Sequence, residues 1–400
     1  MGETVEKSYG PLYYADSLLT SFDASVVTCD PGDGVFTVQL DRTAFYPSSG
    51  GQPFDTGRLG GADVLDVLLE DDEVIRHVVD RPLPVGETVR GEVNWARRFD
   101  HMQQHTGQHI LSAAFDRHFG VRTVSFHMGA DVSTIDLARE VSAAEIARAE
   151  EEANRIVWED RPVTVRYATD EEAARMPLRK ESARTGTLRL VDVTEFDLSA
   201  CGGTHVPSTG RIGIIAVAGW ERFKGGSRVS FVCGGRALRA HAALRDVVSA
   251  ATRALSIAPA ELGAAVTRLQ DEQRNHARTI RRLQEESAVA QAAALVDAAQ
   301  DIDGVRYVLS ARPGWDGAAL KTLAAAIVAG PRRVTILAGE GQPVPVIVAR
   351  SADLQFDSGA WLKSAMSALG GRGGGRPELA QGGIPATPEE ILAHARKTIG

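Results

Sequence analysis

The sequence predicts an α+β protein built from four successive parts of its 400 residues. The first hundred residues hold short alternating or apolar runs separated by Gly, Pro and Asp, a pattern typical of strands. Helix formers then dominate from residue 237 to about residue 300, and strand and helix patterns alternate after residue 303. We therefore expect a β-rich, barrel-like N-terminal subdomain over 1–98, an α+β domain over 99–236, a long helical arm over 237–302 and a small α/β C-terminal domain over 303–400.

Composition and charge exclude several protein classes. The chain is 44% hydrophobic and 24% charged, and no apolar run is long enough for a membrane span. The N-terminus lacks the apolar core of a signal peptide, so we expect a cytoplasmic protein with no membrane partner. Cys29, Cys201 and Cys233 are too widely spaced for a disulfide framework. With a net charge of −8, a nucleic-acid binder would depend on local basic patches.

The N-terminal part contains five predicted strands and a long connection between the second and third. That connection, 43–61, reads TAFYPSSGGQPFDTGRLGG and is rich in glycine and proline. Long ordered loops are often functional, and a mobile surface insertion is the alternative. The predicted strands cover 25–29, 35–40, 64–69, 74–79 and 87–93.

The next part mixes helices and strands around a short motif, CGGTH, at 201–205. Ser142 followed by Glu145 is a capping box that starts the second helix. The densest basic region of the first half lies at 170–190. Helices are predicted at 99–120 and 142–160, and strands at 123–127, 133–137, 164–168, 188–196, 212–221 and 227–233.

The helical arm is interrupted near Pro259 and then carries apolar residues at alternating steps of four and three. This heptad stripe has a polar middle and a small-residue end, so it predicts a weak seam. Such a seam suits an antiparallel hairpin, a docking surface or a dimer contact.

The C-terminal part ends with a glycine- and arginine-rich segment, LGGRGGGRPELAQGG at 369–383, which we interpret as a loop. It matches neither nucleotide-binding fingerprint. Its backbone amides, with Arg372 and Arg376, would suit a phosphate, and a flexible linker is the alternative. Strands are predicted at 305–309, 334–338 and 344–349, and helices at 316–329, 359–369 and 387–398.

Two pairs of side chains predict a metal site. His105 and His109 lie four residues apart on one helical face, and Cys201 and His205 repeat that spacing in CGGTH. Three imidazoles and one thiolate are ligands that zinc prefers. The protease motif HExxH does not fit, and His101 lies about 12 Å along the axis from His109, too far to share one ion with it.

Four protein ligands close a tetrahedral zinc, whereas a catalytic zinc usually keeps a position for water. The sequence leaves open whether zinc is catalytic or orders the pocket. Gln104 and Gln108 flank the histidines and would orient a substrate group or water, while His127 has either a pocket role or a strand-end role. Asp192 and Asp197 are candidate partners for imidazole N–H groups.

These motifs carry a resemblance to a known family. QQHTGQHIL, SFHMG followed by STIDL, and CGGTHV closely resemble the editing domain of alanyl-tRNA synthetases and the free-standing alanyl-tRNA editing proteins of the AlaX type. FYPSSGGQPFDTG resembles the glycine-rich motif of the alanine-specific members. GGRGGGRPELAQGG is similar to the C-terminal domain of alanyl-tRNA synthetase, which is also associated with DHH phosphoesterases. The DHH motif is missing and too few residues precede the loop for an aminoacylation domain, so the long AlaX-type proteins fit best.

The resemblance implies a trans-editing deacylase that hydrolyses the aminoacyl ester of mischarged tRNA(Ala), chiefly Ser-tRNA(Ala), with Gly-tRNA(Ala) as a second substrate. It also implies Zn²⁺ as cofactor, and we expect a homodimer through the helical arm or the C-terminal domain. The alternatives are a non-catalytic zinc-containing tRNA-binding protein and a deacylase of another mischarged tRNA, such as a threonyl-system substrate. The implied zinc ligands are His105, His109, Cys201 and His205; the expected catalytic residues are Gln104, Gln108 and His127; the expected tRNA contacts are Gly50, Gly51, Arg179, Lys180, Arg372 and Arg376.

Overall fold

The computed structural model describes residues 11–70, 73–179 and 186–399. The chain divides into two compact units, residues 1–250 and residues 251–400. Helices and strands are mixed in both units, and the N-terminal strands close into a barrel, which confirms the predicted fold class. None of the described helices combines the length and apolar character that crossing a membrane requires.

The first unit begins with a six-stranded closed barrel in the strand order β1-β2-β5-β4-β3-β6. Alternate residues face its apolar interior, as in β6, where Val89, Gly91 and Val93 are buried. Strand β3 lies inside the segment 43–61 that was predicted as a loop, and it was missed because it is only three residues long and begins at a glycine. After helix α1 (Leu12–Ala15), the barrel strands are β1 (Ser21–Pro31), β2 (Phe36–Leu40), β3 (Gly57–Leu59), β4 (Ala62–Leu69), β5 (Ile75–Val79) and β6 (Thr88–Val93).

Helix α2 (Trp95–Phe119) forms the core of the first unit. It begins where the side chain of Asn94 accepts a hydrogen bond from the backbone of Arg97, and it ends at Gly120, whose φ of 62° suits glycine. Residues 101–115 are all buried, so this helix is covered on every side. A covered helix with so many polar residues is unusual, and those residues form the candidate site.

Two further sheets complete the first unit, with strand orders β12-β13-β8-β7 and β11-β10-β9. The predicted capping box of Ser142 and Glu145 is present at the start of α3. The single strand predicted at 188–196 is instead the hairpin β10–β11, which turns at Glu195 with a φ of 59°. The elements are β7 (Thr123–Met128), β8 (Ser133–Leu137), α3 (Ala143–Trp158), β9 (Val163–Ala168), α4 (Asp170–Ala173), β10 (Leu188–Val193), β11 (Asp197–Ala200), β12 (Ile215–Phe223), β13 (Gly226–Cys233) and α5 (Gly235–Leu255), the last of which crosses into the second unit.

The second unit holds a long helix and a six-stranded sheet in the order β14-β15-β16-β17-β19-β18. Strands β15 and β16 are parallel and the other neighbours are antiparallel. The elements are α6 (Leu262–Asp297), β14 (Gln300–Ile302), β15 (Val305–Ala311), α7 (Gly317–Val328), β16 (Arg333–Ala338), β17 (Val344–Arg350), α8 (Ser358–Leu369), β18 (Arg372–Arg376), β19 (Leu379–Ile384) and α9 (Pro388–Ile399).

The loop predicted at 369–383 was wrong, because this segment forms the hairpin β18–β19 at one edge of the sheet. Its glycines are needed for the close approach of the strands: a Cβ on Gly373 would lie 2.5 Å from the Cα of Gly382. The backbone ladder supplies the pairing, so the low strand propensity of glycine did not prevent it.

Candidate metal centre

Two elements of the first unit bring four predicted metal ligands together. Helix α2 carries His105 and His109 one turn apart, with ring centroids separated by 5.5 Å. The segment after β11 carries Cys201 and His205, and the His205 ring lies 4.6 Å from that of His105 and 4.8 Å from that of His109. The four ligand atoms all lie within 4.8 Å of one another. Sγ of Cys201 is 3.3 Å from Nε2 of His105 and 3.3 Å from Nε2 of His205.

Each histidine of the cluster has a hydrogen-bond partner at Nδ1. The pairs are His105 with Oε1 of Gln52 at 2.7 Å, His109 with Oδ2 of Asp197 at 2.9 Å, and His205 with Oγ1 of Thr106 at 3.1 Å. Since Nδ1 is engaged in all three rings, the Nε2 atoms are left to face Cys201. Partners of this kind fix the ring orientation and the tautomer of metal-binding histidines.

The donor set and its spacing fit a metal ion. A tetrahedral ion with Zn–N and Zn–S bonds of about 2.0–2.3 Å separates its ligand atoms by about 3.3–3.6 Å. The sulfur–nitrogen distances of 3.3 Å in the cluster are close to that range. His105, His109, Cys201 and His205 can therefore hold a metal ion.

The charges of the cluster favour a thiolate. Burial alone would raise the pKa of the Cys201 thiol, but His105 and His205 hold that pKa well below its ordinary value. Burial also opposes protonation of His109, yet Asp197 and Cys201 raise the pKa of His109 to about 9. A metal ion that binds here would displace the His109 proton, so metal binding is linked to proton release.

Asp197, which the sequence placed among the candidate partners of the histidines, is buried and ionised. Burial favours its neutral form, but the hydrogen bonds with His109 and Arg179 lower the pKa of Asp197 to about 2. Nε of Arg179 lies 2.6 Å from Oδ1 of Asp197. The other candidate, Asp192, pairs with Arg166 at 2.8 Å instead.

The glycines of the CGGTH motif allow the two segments to approach each other. A Cβ on Gly203 would lie 2.2 Å from Cε1 of His105, so only glycine fits there without moving the ring. The motif is held by Arg189, whose Nη1 donates to the carbonyl oxygens of Cys201 at 2.7 Å and Gly203 at 3.0 Å.

Gln52 is a site residue that the sequence did not reveal. It belongs to the glycine-rich connection between β2 and β3, and besides contacting His105 it donates Nε2 to Oγ1 of Thr204 at 2.9 Å. The connection is anchored by the fully buried ion pair of Arg98 and Asp55, with Nε 3.0 Å from Oδ2. It is therefore an ordered part of the site, and the mobile-insertion alternative is wrong. Thr106 was also missed, since its partner lies a hundred residues away.

The three residues expected to be catalytic make their contacts elsewhere. Gln104 bonds to the backbone of Cys233, with its Oε1 2.8 Å from the amide nitrogen. Gln108 donates Nε2 to Oγ of Ser112 at 2.8 Å. His127 is exposed on β7. Within the described residues, no hydrogen bond joins these three side chains to the four ligands.

The residues expected to contact tRNA fall into different surroundings. Gly50 is exposed, whereas Gly51 packs on β7, where a Cβ would lie 2.6 Å from the carbonyl oxygen of Phe126. Arg179 is occupied by Asp197, as described above. Lys180 lies outside the described residues. In the second unit, Arg372 and Arg376 are exposed on β18.

Two family models match the chain. Residues 188–230 match the threonyl and alanyl tRNA synthetase second additional domain, a segment that includes the Cys201 and His205 pair. Residues 304–400 match the DHHA1 domain.

Comparison with curated proteins decides the family. The alanyl-tRNA editing protein AlaX-L of Pyrococcus horikoshii is 32% identical over 396 residues, which cover 95% of this chain and 96% of that protein. The chain belongs to the AlaX-L family of alanyl-tRNA editing proteins. This confirms the resemblance that the three motifs indicated.

This chain is also similar to part of a larger enzyme. The alanine–tRNA ligase of Pyrococcus abyssi is 32% identical over 389 residues, which are 93% of this chain and 42% of the ligase. The chain thus spans less than half of the length of that relative. The crystal structure of the C-Ala domain from Aquifex aeolicus alanyl-tRNA synthetase aligns with 25% of this chain and 96% of that domain, at 18% identity and a TM-score of 0.24.

Proposed function

We propose that this protein is a cytoplasmic trans-editing deacylase that hydrolyses the aminoacyl ester of mischarged tRNA(Ala). Ser-tRNA(Ala) would be its main substrate and Gly-tRNA(Ala) a second one. The observation that carries the proposal is the largely buried cluster of three histidines and one cysteine in an AlaX-L family chain. The cluster supplies a place for a metal ion, and an ester of this kind is already activated toward hydrolysis.

The proposed cofactor is zinc, held by His105, His109, Cys201 and His205. When bound, zinc would order the pocket and, if it accepts a fifth ligand, would supply Lewis-acid chemistry toward the ester carbonyl. The donor set supports this choice, because three imidazoles with one thiolate suit zinc better than magnesium or calcium, which prefer oxygen ligands.

The surrounding residues keep this site rigid. Gln52, Asp197 and Thr106 hold the three imidazoles by their Nδ1 atoms, which keeps Nε2 directed at one point. Arg179 in turn holds Asp197. Because the cluster is largely buried, ordered donors replace bulk water around it, which strengthens its electrostatic interactions.

Recognition of serine requires a partner for the extra hydroxyl, since an apolar pocket separates similar side chains poorly. Gln108 precedes the ligand His109, and its hydrogen bond to Ser112 uses Nε2, which leaves Oε1 for a ligand. We propose that this oxygen accepts the serine hydroxyl. Gln108→Leu would then slow hydrolysis of Ser-tRNA(Ala) more than that of Gly-tRNA(Ala); an equal effect on both would remove Gln108 from selection.

The purified full chain should be tested on Ser-tRNA(Ala), Gly-tRNA(Ala), Ala-tRNA(Ala) and Ser-tRNA(Thr). The proposal expects release of serine from tRNA(Ala), slower release of glycine, and little attack on the correctly charged tRNA. Preference for the tRNA(Thr) substrate would favour the threonyl-system alternative. Tight binding without hydrolysis would favour the non-catalytic alternative.

We also propose that two copies associate through α6 or the C-terminal domain. The predicted heptad stripe on α6 is half-exposed at Val266, Leu269, Ile280 and Leu283. Sedimentation equilibrium of the full chain would then give twice the monomer mass, and a monomer at micromolar concentration would contradict this.

A further inference from the structure

A concave feature of the first unit lies beside the N-terminal half of α2. It is a cavity of about 460 Å³. Its walls come from the glycine-rich connection, from α2, from the turn after β7 and from the start of α5. The lining includes Pro53, Arg97, Asp100, His101, Arg236 and Arg239.

The cavity carries an excess of positive charge. Three guanidinium groups and one carboxylate line it, which leaves two positive charges uncompensated. Arg236 is fixed to Asp100, with Nη2 2.7 Å from Oδ2. Arg239 lies 3.7 Å from the same carboxylate and is 72% exposed, so it is free to meet a ligand. Arg97 uses Nε to donate to the carbonyl oxygen of Phe54 at 2.9 Å, which leaves its terminal nitrogens for another acceptor.

A buried polar group without a partner also lines the cavity. His101 is only 3% exposed, and its Nδ1 has no hydrogen-bond partner within the described residues. Buried polar atoms are normally paired, so an unpaired one in a cavity wall points to a ligand or an ordered water. Burial, together with the nearby Arg97, lowers the pKa of His101 to about 3, so the ring is neutral at physiological pH.

The cavity is close to the metal centre. His101 precedes the ligand His105 by one turn of α2, about 6 Å along the axis. Pro53 directly follows Gln52, which holds His105 at 2.7 Å. A group bound in the cavity would thus lie roughly one nucleotide away from a group at the cluster.

We propose that this cavity binds the phosphodiester that joins the last two nucleotides of the substrate's 3′ end, with Arg97 and Arg239 as its cationic contacts. The proposal rests on the deacylase function above, since it assumes that the terminal ribose carries the ester to the metal centre. Arginine forks match phosphate oxygens, and phosphate contacts position a nucleic acid without reading its sequence. His101 would add a neutral hydrogen bond to the phosphate or to the adjoining ribose.

The test measures binding rather than catalysis. A fluorescent acceptor-stem duplex of tRNA(Ala), uncharged and with its single-stranded 3′ end, is titrated with the full chain at several salt concentrations. Arg239→Gln should weaken binding roughly tenfold and lower the salt slope by about 0.7 to 1, as expected for one lost phosphate contact. The matched control is Arg245→Gln, also exposed on α5 but outside the cavity, and it should change affinity less than twofold.

A chemical probe identifies the phosphate. Replacing the last phosphodiester of the duplex by a neutral methylphosphonate should weaken binding to the wild type more than Arg239→Gln does, because it removes the charged partner of both Arg97 and Arg239. The same replacement should have a smaller effect in the Arg239→Gln variant, where only Arg97 remains to contact the phosphate. An unchanged wild-type affinity for the methylphosphonate duplex would overturn the proposal. So would tight binding of inorganic phosphate alone that the variant abolishes, which would mark a site for a free anion.

The deacylase function and the phosphate contact can fail independently, and the two experiments distinguish these outcomes. If the wild type binds the duplex as described but releases no serine from Ser-tRNA(Ala), the deacylase assignment fails while the phosphate contact is supported. If it releases serine but tolerates the methylphosphonate, the deacylase assignment is supported and the phosphate contact is overturned.

Discussion

Oδ2 of Asp197 lies 2.9 Å from Nδ1 of His109, and this contact joins the hairpin β10–β11 to the helix that carries two of the metal ligands. The other carboxylate oxygen is held by Arg179. The site therefore depends on three linked side chains, those of His109, Asp197 and Arg179, and of these only His109 would bind the metal.

Asp197→Asn should lower zinc affinity about ten- to a hundredfold, because the amide no longer stabilises the ring through a charged acceptor. Zinc competition with a chromophoric chelator measures this. Asp192→Asn is the matched control, since Asp192 lies on the neighbouring strand and pairs with Arg166 rather than with a histidine. Equal effects of the two substitutions would show that the Asp197 contact has no special role.

Gln52→Ala should also lower zinc affinity about ten- to a hundredfold, because Nδ1 of His105 loses its acceptor. Isothermal titration of the metal-free protein gives the affinity. Gln39→Ala, in β2 of the barrel, is the control and should leave it unchanged. An unaltered affinity in Gln52→Ala would mean that the glycine-rich connection does not support the metal centre.

Gly203→Ala should abolish stoichiometric zinc binding, since its Cβ would lie 2.4 Å from Nδ1 of His105 and force the ring away. Gly202→Ala makes a matched comparison, because the nearest atom to its Cβ would be the hydroxyl at the end of the Tyr14 side chain, at 3.1 Å. We expect the Gly202 variant to retain most of its zinc. Metal analysis after dialysis distinguishes the two, and equal zinc contents would refute the steric argument.

The ligand set could be predicted from the sequence because helical spacing alone places His105 and His109 on one face. Asp197 was a candidate because it lies just before Cys201. Gln52 could not be found in this way, since nothing local fixes where a side chain in a long irregular connection points. The partners of Gln104 and Arg179 were unpredictable for a related reason: each lies on a different strand whose position depends on the whole fold.

The secondary structure, too, was predictable only where the signal is local in the sequence. The helix predicted at 99–120 corresponds to α2, with ends displaced by a few residues, and the helical pattern predicted after Pro259 corresponds to α6. Both could be predicted because capping residues and apolar periodicity are local signals. The hairpin β18–β19 was missed because its first strand is exposed and has no apolar face to give a period of two. Its pairing comes from backbone groups and from glycines that allow close contact, which a hydrophobic pattern does not show.

Acid should destabilise the barrel through His77. This ring is fully buried, with Nε2 2.8 Å from Oγ1 of Thr43, and burial lowers its pKa to about 4. The unfolded chain binds a proton near pH 6.5, so the contribution is fully present above that pH and is lost as the pH falls toward 4. The loss should reach about 3 kcal/mol in the free energy of unfolding.

Urea denaturation of the wild type and of His77→Gln between pH 4 and pH 7 measures how much His77 contributes to the pH dependence of the free energy of unfolding. The variant should be less stable at pH 7 and should show a smaller decline toward pH 4. Parallel stability curves would show that His77 does not titrate with this depressed pKa.

The central claim is that the cluster of His105, His109, Cys201 and His205 holds a zinc ion required for deacylation. The most direct measurement is the rate of serine release from Ser-tRNA(Ala) by metal-stripped protein, titrated with zinc. We expect the rate to rise from near zero and to level off at one equivalent, and Cys201→Ala to remain inactive throughout. Full activity of the metal-stripped wild type, unchanged by zinc, would contradict the claim.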